Sequence, residues 1–174
     1  MKKIVIATSG ASGVNLGIKA YELLPKEIEK HFISSTNAEV VAQKEMKKSF
    51  VHQNADISAS IASGSFGVDA MLIAPCSMNT LAKIACGISD NLITRCASVM
   101  IKEQKKLIIA PREMPFSAIA LENMQKLASL GVIIAPPVMG YYSEQQTLDD
   151  MENFVVGKWF DLLGIQNNLY KRWE

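Results

Sequence analysis

Residues 3–13 read Lys-Ile-Val-Ile-Ala-Thr-Ser-Gly-Ala-Ser-Gly, and this stretch decides the fold. The apolar residues 4–7 form a continuous run, which is typical of a strand buried on both faces of a parallel sheet. The glycines and small hydroxyl side chains that follow are typical of a tight turn. Residues 14–24 then carry a helical pattern that ends before Pro25. The stretch therefore predicts a strand, a glycine-rich turn and a helix in succession.

The same unit recurs along the chain. We predict strands over 3–7, 30–34, 70–74, 106–110 and 132–135, helices over 14–24, 38–48, 80–86, 92–103, 117–130 and 147–163, and a loop over 49–69. About five such repeats imply a parallel sheet with helices on both faces. The predicted fold is a single doubly wound α/β domain, Rossmann-like or flavodoxin-like, that spans residues 1–174.

Composition sets the broad class of protein. Apolar residues make up 49% of the 174-residue chain and charged residues 20%, an ordinary globular balance. The net charge of +1 argues against nucleic-acid binding through bulk positive charge. No apolar run approaches the roughly 18–20 residues of a membrane helix. Cys76, Cys86 and Cys96 form neither a disulfide framework nor a CxxC metal pair, which favours a reducing cytoplasm and no metal site.

The turn at residues 8–13 is a candidate anion site. Glycines let a ligand approach the backbone closely, and the N-terminus of the following helix offers free N–H groups. The glycine spacing matches neither G-x-G-x-x-G nor a Walker loop, which disfavours NAD and ATP. A glycine-serine turn alone is equally compatible with a tight turn that holds no ligand.

Polar loops also follow the other predicted strands, at residues 34–37, 75–80, 111–116 and 136–142. In doubly wound sheets, ligands bind beyond the carboxyl ends of the strands. The loop at 34–37 by itself favours a helix cap, and an Arg112–Glu113 pair by itself is usually a solvated ion pair. Jointly, the five loops predict a site for a planar, phosphorylated molecule, and FMN has the required phosphate, hydroxylated chain and aromatic ring.

Longer motifs resemble the UbiX-type flavin prenyltransferases. They lie at residues 9–13, 63–71, 75–82, 90–95, 111–117 and 121–124, in the order of that family, and Pro-Arg-Glu-Met-Pro-Phe at 111–116 is the most distinctive. The resemblance runs from residue 1 to about 173. It implies a metal-independent enzyme that joins the dimethylallyl group of dimethylallyl monophosphate to N5 and C6 of reduced FMN.

The resemblance also implies partners and an assembly. The prenylated FMN would serve as cofactor for UbiD-type decarboxylases, in ubiquinone biosynthesis or aromatic acid decarboxylation. The enzyme would be a homododecamer whose active sites lie at subunit junctions.

Site residues follow from the same resemblance. Contacts with FMN are implied for Gly10, Ala11, Ser12, Ser35, Ser77, Met78, Asn79, Thr80 and Arg112. The group around the prenyl phosphate is implied to be Arg95, Lys102, Glu113, Tyr142 and Lys158. Ser12, Glu45 and Glu113 are the implied catalytic residues, with Ser12 and Glu45 near flavin N5. Some relatives have Arg where this chain has Lys158. Lysine keeps the positive charge but lacks the planar guanidinium that binds a phosphate through two hydrogen bonds.

General chemistry supports these roles. Ionisation of a prenyl phosphate produces an allyl cation and a departing dianion, and fixed cations stabilise the dianion. The Tyr142 ring can stabilise the allyl cation by cation–π attraction. Ring closure at C6 releases a proton, for which Glu45 and the released phosphate are both candidate acceptors. Without the resemblance, Glu45, Lys102 and Lys158 are typical of solvated helix surfaces.

Two alternatives stay open at this point. One is an FMN-dependent decarboxylase of cysteinyl carboxylates, which would need a catalytic histidine, here His31 or His52. The other is a non-enzymatic FMN carrier. A carrier needs one anion site, so the second cluster of cations argues against it.

Overall fold

A computed structural model of the protein describes residues 1–10, 12–34 and 50–173. Its centre is a six-stranded sheet in which every neighbouring pair of strands is parallel. The strands are β1 (Lys3–Thr8), β2 (Glu29–Ser34), β3 (Phe50–Gln53), β4 (Ala70–Cys76), β5 (Lys106–Pro111) and β6 (Ile133–Ile134). Their order is β3-β2-β1-β4-β5-β6, so the direction of winding reverses between β1 and β4. Ligand crevices in doubly wound sheets form at such a reversal.

Helices cover both faces of the sheet. Those within the described residues are α1 (Val14–Leu23), α2 (Met78–Ala85), α3 (Leu92–Lys102), α4 (Ala118–Ser129) and α5 (Leu148–Leu163). Val5 and Ala7 of β1 pack with α2, α3 and α4, whereas Ile4 and Ile6 pack with α1 and α5. Successive strand residues point to opposite faces, so a continuous apolar run fills two cores. The predicted doubly wound α/β fold is confirmed. No helix within the described ranges is long and apolar enough to cross a membrane.

The loop predicted over 49–69 is wrong in part. It contains the edge strand β3 and two short 3-10 turns at 60–62 and 64–66. The strand has only four residues and pairs with β2 alone, which leaves Val51 43% exposed. Such a short, half-exposed strand lacks the apolar periodicity on which the prediction relied. The helix predicted over 38–48 lies outside the described residues.

Close packing brings α1 against the end of β4. A Cβ atom added to Gly17 would lie 2.1 Å from the Ala74 carbonyl oxygen and 2.5 Å from Thr8 Cγ2. The helix can therefore approach the sheet this closely only because residue 17 has no side chain. As a result, the start of α1 and the loop after β4 lie side by side at the carboxyl end of the sheet.

Candidate active site

Ser9 joins the two strands at the reversal point. Its backbone N–H donates to the Pro75 carbonyl oxygen at 3.0 Å, and its Oγ accepts from the Ser77 N–H at 3.1 Å. Ser77 in turn caps α2, since its Oγ accepts from the Thr80 N–H at 3.2 Å. Two hydrogen bonds thus join the loops after β1 and β4. Ser9 lies in one of the sequence motifs but has no predicted role; its position directly after the first strand is the signal that could have identified it.

Helix α1 begins differently from the other helices of the described chain. Side-chain oxygens cap α2, α3, α4 and α5, supplied by Ser77, Asn91, Ser117 and Thr147. Gly13 precedes α1, with φ at 82°, and offers no side-chain cap. The N–H groups of the first turn of α1 and its positive dipole end therefore face the carboxyl end of the sheet, where they favour an anion.

Arg112 adds a fixed positive charge beside the start of α1. Its Nε donates to the Ser12 carbonyl oxygen at 3.2 Å, and its Cδ would lie 3.5 Å from a Cβ added to Gly13. The stem of the side chain thus crosses the turn before the helix. Within the described part of the chain, no residue pairs with the two terminal nitrogens of the guanidinium. Arg112 can therefore bind an anion together with the α1 N-terminus.

Glu113 does not pair with its neighbour Arg112. Its Oε1 accepts from the Met114 N–H at 3.2 Å. The carboxylate lines a cavity of about 460 Å³ between α2 and α4. The lining residues include Met78, Asn79, Glu113, Pro115, Ser117 and Asn123. Pro115, Ser117 and Asn123 were not assigned from the sequence, although the first two lie in the motif that contains Glu113. A cavity of this size is within the range of ligand sites.

Tyr142 and Lys158 lie together at the same end of the sheet. They line a cavity of about 350 Å³ formed by the loop after β6 and one side of α5. The Tyr142 ring packs edge-on against Phe154, with centroids 5.7 Å apart. Lys158 is exposed, and its Nζ lies 5.9 Å from the centroid of the Tyr170 ring. This arrangement places a cation and an aromatic ring at one cavity.

Other predicted residues are not brought to this site within one chain. Lys102 ends α3, just before β5 begins, and so lies at the amino end of the sheet, whereas Arg112 follows the carboxyl end of β5. The six residues of β5 span ~20 Å. Lys102 pairs with Glu103 at 2.7 Å and lines a separate cavity of about 360 Å³. Arg95 is exposed on α3, and no described residue pairs with it.

Three further predicted residues, Ala11, Ser35 and Glu45, lie outside the described residues.

The buried cysteine at the site has a structural role. Burial raises the pKa of the Cys76 thiol to about 12, so the thiol is protonated at neutral pH. Its Sγ donates to the Ser77 carbonyl oxygen at 3.5 Å. A protonated, buried thiol is a poor nucleophile. The chemistry available here is therefore anion binding and charge stabilisation.

Comparison with known proteins gives the family. A family model described as Flavoprotein matches residues 1–159. The flavin prenyltransferase UbiX of Helicobacter pylori strain J99 is 52% identical, with 98% of each chain covered. The crystal structure of AnUbiX (PadA1) in complex with FMN and dimethylallyl pyrophosphate has a TM-score of 0.91 and 37% identity, covering 99% of this chain and 97% of that one.

A second similar crystal structure is that of a dodecameric FMN-dependent UbiX-like decarboxylase from Escherichia coli O157:H7. Its structure superposes with a TM-score of 0.89 at 39% identity, and all of both chains is covered. Identity at this level over whole chains reflects common ancestry as well as a common fold. The chain belongs to the UbiX family of flavin prenyltransferases.

Proposed function

We propose that this protein transfers the dimethylallyl group of dimethylallyl monophosphate to reduced FMN. A carbon–oxygen bond of the donor breaks, phosphate leaves, and new bonds to N5 and C6 close a fourth ring. The observation that carries the proposal is the pair of cationic sites at one end of the sheet. Arg112 lies at the uncapped start of α1, and Lys158 lies with Tyr142 at the cavity beside α5.

The first site fits the FMN phosphate. A helix N-terminus and a guanidinium whose terminal nitrogens pair with no described residue both favour a dianion. Gly10, Ala11 and Ser12 would approach the flavin from the turn after β1, with Ser35 after β2. Ser77 and Thr80 are held by mutual hydrogen bonds, with their Oγ and Oγ1 atoms 3.1 Å apart. Met78 and Asn79 follow Ser77 in the first turn of α2, so this stretch would complete the FMN site.

The second site fits the prenyl phosphate. The Lys158 ammonium would stabilise the charge that develops on the departing phosphate, a large contribution to catalysis when the cation is already in place. The Tyr142 ring would face the allyl group and stabilise its positive charge. Glu113, in the neighbouring cavity, would help to orient the donor. Because AnUbiX was crystallised with a pyrophosphate, both donors need to be compared.

Ser12 and Glu45 are proposed to act near the reacting flavin atoms. The Ser12 carbonyl accepts from Arg112, which fixes this residue at the start of α1. Glu45 would accept the proton lost when the ring closes at C6, with the released phosphate as the other candidate acceptor. A Glu45→Gln variant that binds FMN but forms no product would support the role of Glu45, whereas unchanged turnover would remove it.

A neighbouring subunit is proposed to complete the site with Arg95 and Lys102. Neither residue lines the cavity that holds Tyr142 and Lys158 in its own chain, and the E. coli relative is dodecameric. Large apolar side chains surround the carboxyl end, and Met114, Val138 and Tyr141 are 91%, 67% and 92% exposed. A homododecamer would cover them. We further propose that a UbiD-type decarboxylase accepts the product in the cytoplasm.

The alternative function is an FMN-dependent decarboxylase of cysteinyl carboxylates, which needs a catalytic histidine. His31 is the third residue of β2, 2% exposed, and bonded to Glu29 Oε1 at 3.0 Å and His52 Nε2 at 3.2 Å. His52 is likewise within a strand. Neither histidine lies in the loops at the carboxyl end of the sheet, which favours the prenyltransferase.

The deciding experiment is anaerobic. Protein is mixed with reduced FMN and dimethylallyl monophosphate, or with the pyrophosphate, and the flavin mass is measured. We expect a mass increase of one prenyl group. Bound FMN without that increase would reject the proposed activity. Release of CO2 from a cysteinyl carboxylate would identify the decarboxylase, and FMN binding with unchanged prenyl phosphate and no CO2 would identify the carrier.

A further inference from the structure

Residues 165–173, here named the C-terminal strap, fold back along α5. The helix ends at Gly164, whose φ of 70° turns the chain round. Asn167 then reaches the helix, and its Nδ2 donates to Asp161 Oδ1 at 2.9 Å and to the Gly157 carbonyl oxygen at 3.2 Å. The strap is therefore attached to the same helix that carries Lys158.

Asp161 is the main attachment point of the strap. Its Oδ2 accepts from the Tyr170 hydroxyl at 2.5 Å and from Arg172 Nη1 at 3.1 Å, and its Oδ1 accepts from Arg172 Nη2 at 2.8 Å. An isolated exposed ion pair contributes little, but a bidentate arginine fixes geometry as well as charge. One carboxylate thus holds three separate residues of the strap, namely Asn167, Tyr170 and Arg172.

The helix surface is shaped for this contact. A Cβ added to Gly157 would lie 2.5 Å from Tyr170 Cδ1 and 2.9 Å from Asn167 Oδ1. Glycine within a helix is unfavourable by itself. Its presence here is explained by the close approach of the strap, which an alanine would block.

The far end of the strap touches the cavity residues. The Trp173 ring packs edge-on against Tyr142 at 5.4 Å, and Lys171 Nζ pairs with Glu144 Oε1 at 2.8 Å in the loop that carries Tyr142. The Tyr170 ring packs against Phe154 at 5.0 Å. The strap therefore connects Asp161 to Tyr142 through direct contacts.

We propose that Asp161 is a positioning residue, which holds Tyr142 and Lys158 at the prenyl-phosphate cavity by anchoring the C-terminal strap. Asp161 does not line that cavity, so it acts through the strap and not on the donor. The inference rests on the proposed function, because the donor is the ligand of this cavity.

The ionisation of the anchor agrees with this role. Burial raises the pKa of Asp161, but hydrogen bonds from Arg172 and Tyr170 outweigh burial and hold the pKa below its ordinary value. Burial and the neighbouring carboxylate raise the pKa of Tyr170 to about 12. At neutral pH the carboxylate is thus charged and the hydroxyl keeps its proton, so the donor–acceptor pairs persist.

The test compares Asp161→Asn with Asp149→Asn in the full-length protein. Asp149 lies on the same helix and pairs with Lys19 at 2.6 Å, so its variant loses a similar ion pair without touching the strap. For Asp161→Asn we expect KM for dimethylallyl monophosphate to rise about tenfold or more, since small displacements of positioning groups are costly. FMN affinity should not change. Trypsin should cleave after Lys171 and Arg172 several times faster, and the control variant should behave as the wild type.

Arg172→Met gives a second test that leaves α5 intact. It should reproduce the rise in KM and the faster cleavage after Lys171, the trypsin site that remains. Arg172→Lys should recover part of both, since lysine keeps the charge but not the bidentate geometry. Unchanged trypsin cleavage would reject the anchor, and faster cleavage with unchanged KM would reject positioning. A wild-type protein that makes no prenylated flavin would instead reject the proposed function, a result separate from the cleavage assay.

Discussion

The two ends of the parallel sheet use their cations differently. At the amino end, Lys2 Nζ donates to the Leu163 carbonyl oxygen at 2.8 Å, and Lys106 Nζ donates to the Leu162 carbonyl oxygen at 2.6 Å. Lys3 Nζ donates to the Phe66 carbonyl oxygen at 3.0 Å. At the carboxyl end, the Arg112 side chain bonds to the described protein through Nε only, and Lys158 has no ion pair with any described residue.

The difference separates cations that bind backbone oxygens from cations whose donors are left for an anion. A cation whose hydrogen bonds go to backbone oxygens is already neutralised in part and contributes modestly to stability. A cation with free donors keeps its full attraction for an anion that arrives later. We therefore expect substitutions of cations at the carboxyl end to change activity, and substitutions of cations at the amino end to change stability.

The largest expected effect is on activity at the carboxyl end. Arg112→Ala removes the fixed cation at the start of α1, and we expect formation of prenylated flavin to fall about 10²–10³-fold. Lys106→Ala is the matched change at the amino end and should leave turnover within about twofold while lowering the melting temperature slightly. Initial rates and thermal unfolding of both variants measure the contrast. Equal loss of activity in the two variants would contradict it.

The next effect is on the packing that joins α1 to β4. Gly17→Ala places a methyl group 2.1 Å from the Ala74 carbonyl oxygen, and we expect a loss of about 1–3 kcal/mol in the free energy of unfolding. Leu23→Ala on the same helix alters a residue 40% exposed and should cost less. Urea unfolding of both variants gives the values. A Gly17→Ala protein as stable as the wild type would show that α1 can shift without cost.

A smaller effect is expected when helix caps are removed. Ser77→Ala and Asn91→Ala each delete a side-chain cap and should each cost about 1 kcal/mol of unfolding free energy. Ser77 is bonded to Ser9 in the loop after β1, whereas Asn91 begins α3 beside Asn54, after the edge strand β3, so only the Ser77 variant should also weaken FMN binding. Fluorescence titration with FMN, beside chemical unfolding, separates the two effects. FMN affinity that falls equally in both variants would argue against Ser77 as a site residue.

The smallest effect is a pH dependence at the edge strand. Burial and the nearby His31 lower the pKa of His52 from its ordinary 6.5, and Asp56 opposes this only in part. The unfolded chain therefore takes up this proton first, and stability should fall as the pH drops below 6.5, with no loss from this group above it. His52→Gln should reduce that fall. Melting temperatures between pH 5 and 8 test it, and identical profiles would exclude His52 as the cause.

Much of the fold follows from local patterns. The continuous apolar run at residues 4–7 indicated a strand buried on both faces, and two separate cores now pack against it. The short edge strand β3 escaped prediction, because four residues with one paired neighbour carry too little apolar signal. A strand or helix can be predicted from the sequence when its apolar residues repeat regularly along several residues or helical turns.

The site was predicted only in part. The turn before α1 and the 111–116 motif were identified from their residue types, and both lie at the carboxyl end of the sheet. The adjacent residues Arg112 and Glu113 nevertheless make separate hydrogen bonds, one to Ser12 and one to the Met114 N–H. Adjacent positions in a sequence do not specify where long side chains end, since that depends on residues from other segments.

By itself, the sequence determined the strands with continuous apolar runs, the glycine-rich turn and the residue types that suit a phosphorylated flavin. Only the tertiary structure decided that Ser9 bridges β1 and β4, that Lys102 lies at the opposite end from Arg112, and that Asp161 anchors the strap beside Tyr142. The physical reason is the separation along the chain over which each interaction acts. Backbone preference and burial act over a few neighbouring residues, whereas these contacts join segments that meet only after the sheet and its helices have packed.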